Sequence, residues 1–182
     1  MTHGEEIVAR WRCGSCENTH GALILLLHGD GSDEDALFDL VVLLPNAPAV
    51  AALRGPLAAP AGGFRWFDTD TAAQPVPASL RAAAERIERW IDEQAGDAEE
   101  LWLAGVGSGA TLVRTLLARA PQRYAGAALL DETVPTDPSP GSGLALLRMP
   151  RPRSADELRR LADWFSAQTT TTTSLITLGE HR

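Results

Sequence analysis

The sequence has no lysine and only two cysteines, and its basic residues form no block. All 16 basic residues are arginine, and the 24 acidic residues leave a formal net charge of −8. The chain therefore lacks the electrostatic footprint of a protein that binds nucleic acid or an anionic membrane surface. We expect neither class of partner, and we attribute the arginine bias to GC-rich coding rather than to function.

Long apolar segments are also missing. The longest apolar run, residues 22–27, is too short to cross a bilayer, and the first six residues have neither the basic nor the apolar region of a signal peptide. A chain of 182 residues is long enough to bury one continuous core. We therefore expect a single cytoplasmic domain, residues 1–182, without a membrane span.

The two cysteines, Cys13 and Cys16, are separated by two residues and followed by His20. A structural zinc ion needs four ligands, and only His3 is near enough in sequence to complete the set. A redox-active cysteine pair normally opens a helix, whereas this pair lies in a predicted turn between strands. The sequence therefore predicts no metal and no cofactor, and two incidental thiols.

Apolar segments of strand length alternate with amphipathic segments of helix length. The predicted strands are residues 7–12, 22–27, 49–53, 101–106, 124–130, 144–147 and 172–178. The predicted helices are residues 33–44, with Ser32 as N-cap, 78–94, 110–120 and 154–167. This order predicts an α/β fold with a mostly parallel, doubly wound sheet and helices on both faces. The first two strands are expected to form an N-terminal hairpin over residues 5–27.

Residues 54–78 hold much of the proline and glycine and show no periodicity. They predict a long surface loop that carries three aromatic side chains, Phe64, Trp66 and Phe67. Long loops on a rigid scaffold often carry function.

Two glycine-bearing turns, residues 28–33 and 105–109, follow the two most apolar strands and precede helices. Open α/β sheets bind their ligands at the carboxyl ends of the strands. Any active site is therefore expected where these two turns meet.

Several segments resemble the phospholipase/carboxylesterase family of α/β-hydrolases, over about residues 20–135. They are Leu-Leu-Leu-His-Gly-Asp-Gly-Ser-Asp-Glu at 25–34, Pro-Asn-Ala-Pro at 45–48, Gly-Phe-Arg-Trp-Phe-Asp at 63–68, the strand and turn at 101–110, and Pro-Gln-Arg-Tyr-Ala-Gly at 121–126. The resemblance implies the α/β-hydrolase fold. It also implies an ester-hydrolysing ancestry, with a serine nucleophile on the turn after residue 106.

The family's nucleophile turn reads Gly-Phe-Ser-Gln-Gly-Gly, whereas this chain has Gly-Val-Gly-Ser-Gly-Ala. Aligning the flanking glycines places Gly107 at the nucleophile position and Ser108 one residue later. In the family the later residue gives its backbone N–H to the oxyanion hole. The alternative is a turn slipped by one residue, with Ser108 as nucleophile and Val106 and Ala110 in place of the usual glycines.

The resemblance also suggests the partners of such a nucleophile. The family's acid position falls in residues 147–153, which contain no carboxylate, so Asp131 is the candidate acid. His181 is the candidate base, although Gly-Glu-His replaces the family's Gly-His-Glu and the C-terminus is shortened. The resemblance places the oxyanion hole and substrate pocket at a set of five residues: His28, Gly29, Asp30, Ser108 and Trp66.

Two functions follow from this comparison. One is a catalytically degenerate esterase homologue with a binding or regulatory role, because a glycine cannot form an acyl-enzyme. The other is an active carboxylesterase or thioesterase that acts on short acyl esters through Ser108, His181 and Asp131. A small acyl ester or another small ligand is the expected partner, and self-association through the aromatic loop, residues 64–67, would give the homodimer common in this family.

Overall fold

The computed structural model describes residues 6–12, 21–44, 48–131, 144–152 and 154–179, with the backbone alone for residues 170–179. In chain order the strands are β1 (Val8–Arg12), β2 (Ala22–Leu27), β3 (Ala49–Arg54), β4 (Leu57–Ala58), β5 (Phe64–Arg65), β6 (Glu100–Val106), β7 (Gly126–Leu130) and β8 (Ala145–Met149). The helices are α1 (Phe38–Leu43), α2 (Pro77–Gln94), α3 (Ser108–Arg119) and α4 (Ala155–Gly179), with a short 3-10 turn at Pro121–Arg123.

Within the described residues, six strands form one sheet in the order β1-β3-β2-β6-β7-β8. Every neighbouring pair is parallel except β1 with β3, which is antiparallel. The predicted mostly parallel sheet is thus confirmed. Strand β2 lies inside the sheet, between β3 and β6. All of its residues after the first are buried, because both faces of the sheet are covered there.

Alternate residues of the central strands enter two separate cores. Leu25 and Leu103 belong to the core under α2 and α3, whereas Leu26 and Ala104 belong to the core under α1 and α4. Because side chains along a strand point alternately to opposite faces, one strand contributes to both cores. The predicted doubly wound architecture is confirmed.

Helix α2 shows why the periodic segments were predictable. Its apolar residues recur at helical spacing, and the buried ones are Ala83, Ala84, Ile87, Trp90 and Ile91. Proline occupies the first turn, where the missing N–H has no intrahelical partner. The helix therefore forms one apolar face that packs on the sheet.

The predicted N-terminal hairpin is wrong. Strand β1 pairs with β3 rather than with β2, in an antiparallel register from Val8 opposite Arg54 to Arg12 opposite Val50. Strand β1 is only partly buried, which suits the sheet edge. The fully apolar β2 is instead flanked on both sides by β3 and β6.

The predicted first helix, residues 33–44, is shorter in the structure and begins at Phe38. Ser32 is not its N-cap, because the residue that precedes the helix is Leu37. The Ser32 carbonyl oxygen instead accepts a hydrogen bond from the Phe64 N–H at 2.8 Å. An isolated antiparallel β-bridge pairs Ser32 with Phe64. The tertiary contact therefore overrides the local capping preference.

The predicted strand at residues 172–178 is also wrong, since α4 continues through these residues to Gly179. The helix starts with a capping box, in which Ser154 Oγ accepts from the Glu157 N–H at 3.3 Å and Glu157 Oε2 accepts from the Ser154 N–H at 3.2 Å. Thr169 Oγ1 donates to the Phe165 carbonyl one turn earlier, at 3.0 Å. A threonine hydroxyl can thus be satisfied inside a helix, so β-branching alone does not specify a strand.

The segment predicted as a surface loop, residues 54–78, contains the two-residue strands β4 and β5. Trp66 and Phe67 are 1% and 2% exposed and belong to the core under α2 and α3. The prediction that Trp66 and Phe67 belong to an exposed aromatic surface is therefore wrong, whereas Phe64 is partly exposed and self-association stays a prediction. In the part of the chain that the structure describes, no helix has both the length and the hydropathy needed to cross a membrane.

Candidate active site

A sharp turn joins the end of β6 to the start of α3, and Gly107 is at its apex. Gly107 has φ of 54° and ψ of −113°, a backbone conformation that residues with a β-carbon rarely adopt. Its N–H donates to the Leu130 carbonyl at 2.9 Å, and its carbonyl accepts from the Thr111 N–H at 3.1 Å. The apex is therefore fixed between the neighbouring strand β7 and the first turn of α3.

Glycine is required on both sides of this apex. A β-carbon on Gly105 would overlap the Gly109 carbonyl and lie 2.6 Å from the Ala110 nitrogen. A β-carbon on Gly109 would overlap the Leu27 carbonyl and lie 2.6 Å from the His28 oxygen. These contacts are with backbone atoms, which cannot move aside. They place the centre of the tight turn at Gly107.

The apex itself faces open space. A β-carbon built on Gly107 meets no atom within 4 Å among the described residues. A side chain at this position would thus project away from the packed turn, at the carboxyl end of the sheet where α/β proteins bind ligands.

Ser108 is the first residue of α3, and its hydroxyl contacts the neighbouring turn. Ser108 Oγ donates a hydrogen bond to Asp30 Oδ1 at 2.7 Å. Gly29 lies against the end of β6, since a β-carbon there would be 3.3 Å from the Val106 oxygen. The two turns predicted to meet are therefore in contact, and the structure brings Gly29, Asp30 and Ser108 together.

His28 is buried beneath this contact and is 2% exposed. Its Nδ1 lies 2.7 Å from the Gly29 carbonyl, and its Nε2 lies 2.9 Å from the Gly55 N–H. The carbonyl can only accept and the N–H can only donate, so these partners define a neutral imidazole with the proton on Nδ1. Both ring nitrogens are occupied, and the side chain holds the turn in place.

Trp66 supports the same turn from below. Its indole N–H donates to the His28 carbonyl at 2.8 Å, and the centroids of the Trp66 and His28 rings are 5.0 Å apart. Because Trp66 is buried, the prediction that it lines a substrate pocket is wrong. The sequence predicts an aromatic residue near the site, but it does not show that the indole N–H donates to a buried carbonyl of the protein instead of facing a ligand.

The pKa of His28 is lowered from its ordinary value of 6.5, mainly because burial disfavours the charged imidazolium; the hydrogen bond to Gly29 and the charge of Asp33 oppose this shift. The unfolded chain therefore takes up a proton at a higher pH than the folded chain does. The stability contributed by neutral His28 is fully present above about pH 6.5 and is lost as the pH falls below it.

We expect urea unfolding to show this loss between about pH 7.5 and about pH 5.5. In a His28→Gln variant, whose side-chain oxygen can still accept from the Gly55 N–H, the decrease in unfolding free energy over the same interval should be smaller. An equal decrease in both proteins would contradict the assignment of His28 as a buried neutral group.

The candidate acid, Asp131, follows β7 and is exposed. It has a φ of 54°, and its N–H donates to the Met149 carbonyl at 3.0 Å. Its strand is the one that anchors Gly107, so Asp131 lies on the loop next to the apex. The candidate base His181 lies outside the described residues, as do the thiols Cys13 and Cys16.

Among the described residues, no three His, Cys, Asp or Glu side chains converge in a way that could hold a metal ion. A groove of about 380 Å³ lies between β1 and α2, apart from the apex. Its lining residues are Glu6, Ile7, Ala9, Trp11, Arg86, Arg89, Trp90, Glu93 and Gln94. No sequence pattern indicates this groove, because its two walls are distant in the chain.

A mostly parallel, doubly wound sheet, with a glycine-flanked turn between an inner strand and the following helix, is the arrangement found in the α/β-hydrolase fold. Solved structures agree with this assignment. A carboxylesterase from Mesorhizobium loti has a TM-score of 0.70 at 20% sequence identity, over 87% of this chain and 93% of that one. The Bacillus cereus carboxylesterase has a TM-score of 0.71 at 16% identity, over 89% of this chain and 94% of that one.

A protein of unknown function from Agrobacterium tumefaciens str. C58 is similar in structure as well, with a TM-score of 0.73, 17% identity and coverage of 87% of this chain and 95% of that chain. No protein-family model and no curated protein matches the sequence. At these identities the structural similarity establishes the fold, and the activity has to be argued from the residues of the site.

Proposed function

We propose that this chain is a carboxylesterase-like α/β-hydrolase homologue that does not form an acyl-enzyme and that binds a small ligand at the turn between β6 and α3. The observation that carries the proposal is the position of Gly107. It lies at the apex of the turn, between two glycines at which a β-carbon would clash with backbone atoms, and faces open space.

The chemical argument is that this apex is where the fold presents a nucleophile. In α/β-hydrolases the nucleophilic side chain sits on a strained strand-to-helix turn, beside backbone N–H groups that stabilise the oxyanion. Glycine has no atom that can attack an acyl carbon. Without a nucleophile, the general base has no hydroxyl proton to take and the acid has no such base to orient, so only ligand binding and the oxyanion hole remain.

Ser108 is the alternative nucleophile, and its environment argues against that role. Its hydroxyl donates to the Asp30 carboxylate, so this hydrogen bond commits its proton to an acidic group rather than to an imidazole. A carboxylate is a weaker base than the imidazole that takes the serine proton in a hydrolase triad. One residue along a helix also rotates a side chain by about 100°, so Ser108 does not project in the direction available at Gly107.

Covalent labelling and ester hydrolysis test the proposal together. We expect purified protein to show no labelling by a fluorophosphonate probe, and hydrolysis of p-nitrophenyl acetate and butyrate no faster than the buffer rate. A Ser108→Ala variant should give the same results, because the proposal assigns no catalytic role to this hydroxyl.

The variant also serves as the control for contaminating esterase. Hydrolysis that is present in the unchanged protein and lost in Ser108→Ala would overturn the proposal and establish an active esterase with a slipped turn. Probe attached to Ser108, located by peptide mass spectrometry, would have the same meaning. Equal hydrolysis in both samples would indicate a contaminant if the protein band itself stays unlabelled.

A further inference from the structure

The carboxylate of Asp30 lies at the amino end of α3. Asp30 is exposed and directly follows Gly29, and its Oδ1 accepts the Ser108 hydroxyl at 2.7 Å. Ser108 is the first residue of a 12-residue helix. This hydrogen bond therefore places a negative charge next to the unpaired N–H groups of the first helical turn.

That position has a defined electrostatic character. The first turn of a helix carries a partial positive charge and attracts anions. A carboxylate that is part of the protein satisfies this attraction internally. A second anion arriving at the same turn would meet the carboxylate as well as the N–H groups, and like charges at short range repel strongly.

Among the described residues, no cation forms an ion pair with Asp30. Two arginines near this turn are already engaged, since Arg54 Nε is 3.5 Å from Glu34 Oε2 and Arg10 pairs with Asp35. Within the described part of the chain, no neighbouring guanidinium neutralises the charge of Asp30. The negative charge is thus available to act on a bound ligand.

We infer that Asp30 is a specificity-determining residue, which excludes carboxylate and phosphate anions from the turn at Gly107 and restricts this site to uncharged or cationic ligands. The inference rests on the proposed function, because it takes this turn as the ligand site. Exclusion would also act on an oxyanion formed there, so Asp30 opposes ester hydrolysis independently of Gly107.

Acetate and acetamide test the inference, because they differ in charge and hardly in shape. Their binding can be followed by the amide resonances of Ser108 and Gly109 at constant ionic strength and about pH 7. In the unchanged protein we expect acetate to bind no better than acetamide. An Asp30→Asn variant, which keeps an oxygen for the Ser108 hydroxyl, should bind acetate at least about tenfold more tightly and acetamide within about twofold of the unchanged protein.

The matched control is Asp33→Asn, which removes the same charge from the same turn. Asp33 Oδ1 accepts from the Asp35 N–H rather than from Ser108, so this variant should leave the acetate-to-acetamide ratio unchanged. A common increase in both variants would overturn the inference, since it would reflect net charge alone. An unchanged ratio in a folded Asp30→Asn protein, or no acetate binding to it, would overturn it too.

These outcomes are separate from a failure of the proposed function. Ester hydrolysis that depends on Ser108 would refute the degenerate active site, whatever the ratio of acetate to acetamide. If the protein is inactive and unlabelled, and Asp30→Asn leaves the acetate-to-acetamide affinity ratio unchanged, the role of Asp30 is refuted and the degenerate site is not.

Discussion

Replacing Gly109 with alanine is expected to destabilise the protein by about 3 kcal/mol, because the new methyl group would overlap the Leu27 carbonyl. The overlap is between backbone elements, the start of α3 and the end of β2, so neither a rotamer change nor a small side-chain shift relieves it. Urea unfolding at about pH 7.5 measures the effect as a lower midpoint with an unchanged slope.

Gly21→Ala is the matched control for this substitution. A β-carbon at Gly21 meets no described atom within 4 Å, and the residue precedes β2 rather than packing against it. The control is expected to change the unfolding free energy by less than about 1 kcal/mol. If Gly109→Ala were as stable as Gly21→Ala, the close approach of α3 to β2 would be refuted.

Replacing Trp66 with alanine is expected to cost about 4 kcal/mol, the largest single effect at this site. The substitution removes a fully buried indole from the core under α2 and α3 and leaves a cavity. It also removes the N–H donor of the buried His28 carbonyl, which adds the cost of an unsatisfied polar group. The unfolding free energy in urea is the measurement.

A Trp66→Phe variant separates these two contributions. It keeps most of the buried ring but loses the N–H, so we expect a loss of about 2 kcal/mol, between the alanine variant and the unchanged protein. A Trp66→Ala protein within about 1 kcal/mol of the unchanged protein would mean that this side chain is not the internal support described here.

The central part of the fold could be predicted because its pattern is local. Residues 22–27 and 101–106 are continuous apolar runs, and residues 78–94 repeat their apolar positions at helical spacing. Such patterns need no knowledge of the partner element. The partners themselves are not local information. The sequence therefore predicts the wrong partner for β1, its neighbour β2 instead of β3.

Two other incorrect predictions, the strand at residues 172–178 and the N-cap at Ser32, have a related cause. The threonine-rich segment favours a strand by intrinsic propensity, but a strand also needs a sheet edge, whereas a helix supplies its own hydrogen bonds. Ser32 has the properties of an N-cap but is held by residue 64. In both places a contact or a self-contained hydrogen-bond pattern outweighs the local preference.

In the candidate site, too, local patterns could be predicted and contacts between distant residues could not. The glycine spacing at residues 105–109 predicted a tight turn with Gly107 at its centre, and the geometry has its positive φ at that residue. The hydrogen bond between Ser108 and Asp30 joins residues 78 positions apart, and no pattern in the sequence encodes it. The sequence shows the aromatic residues, but the burial of Trp66 and Phe67 depends on packing in the core under α2 and α3.

The backbone conformation of Gly107 also affects how tolerant the fold is to mutation. A residue with a β-carbon held at a φ of 54° and a ψ of −113° would store strain of about 1–3 kcal/mol. Glycine adopts this conformation freely, so the turn keeps its shape without that strain. In a small protein whose total stability is about 5–15 kcal/mol, this difference can offset one destabilising substitution elsewhere. A chain with glycine at this apex can therefore accumulate changes that a chain with a strained side chain there could not tolerate.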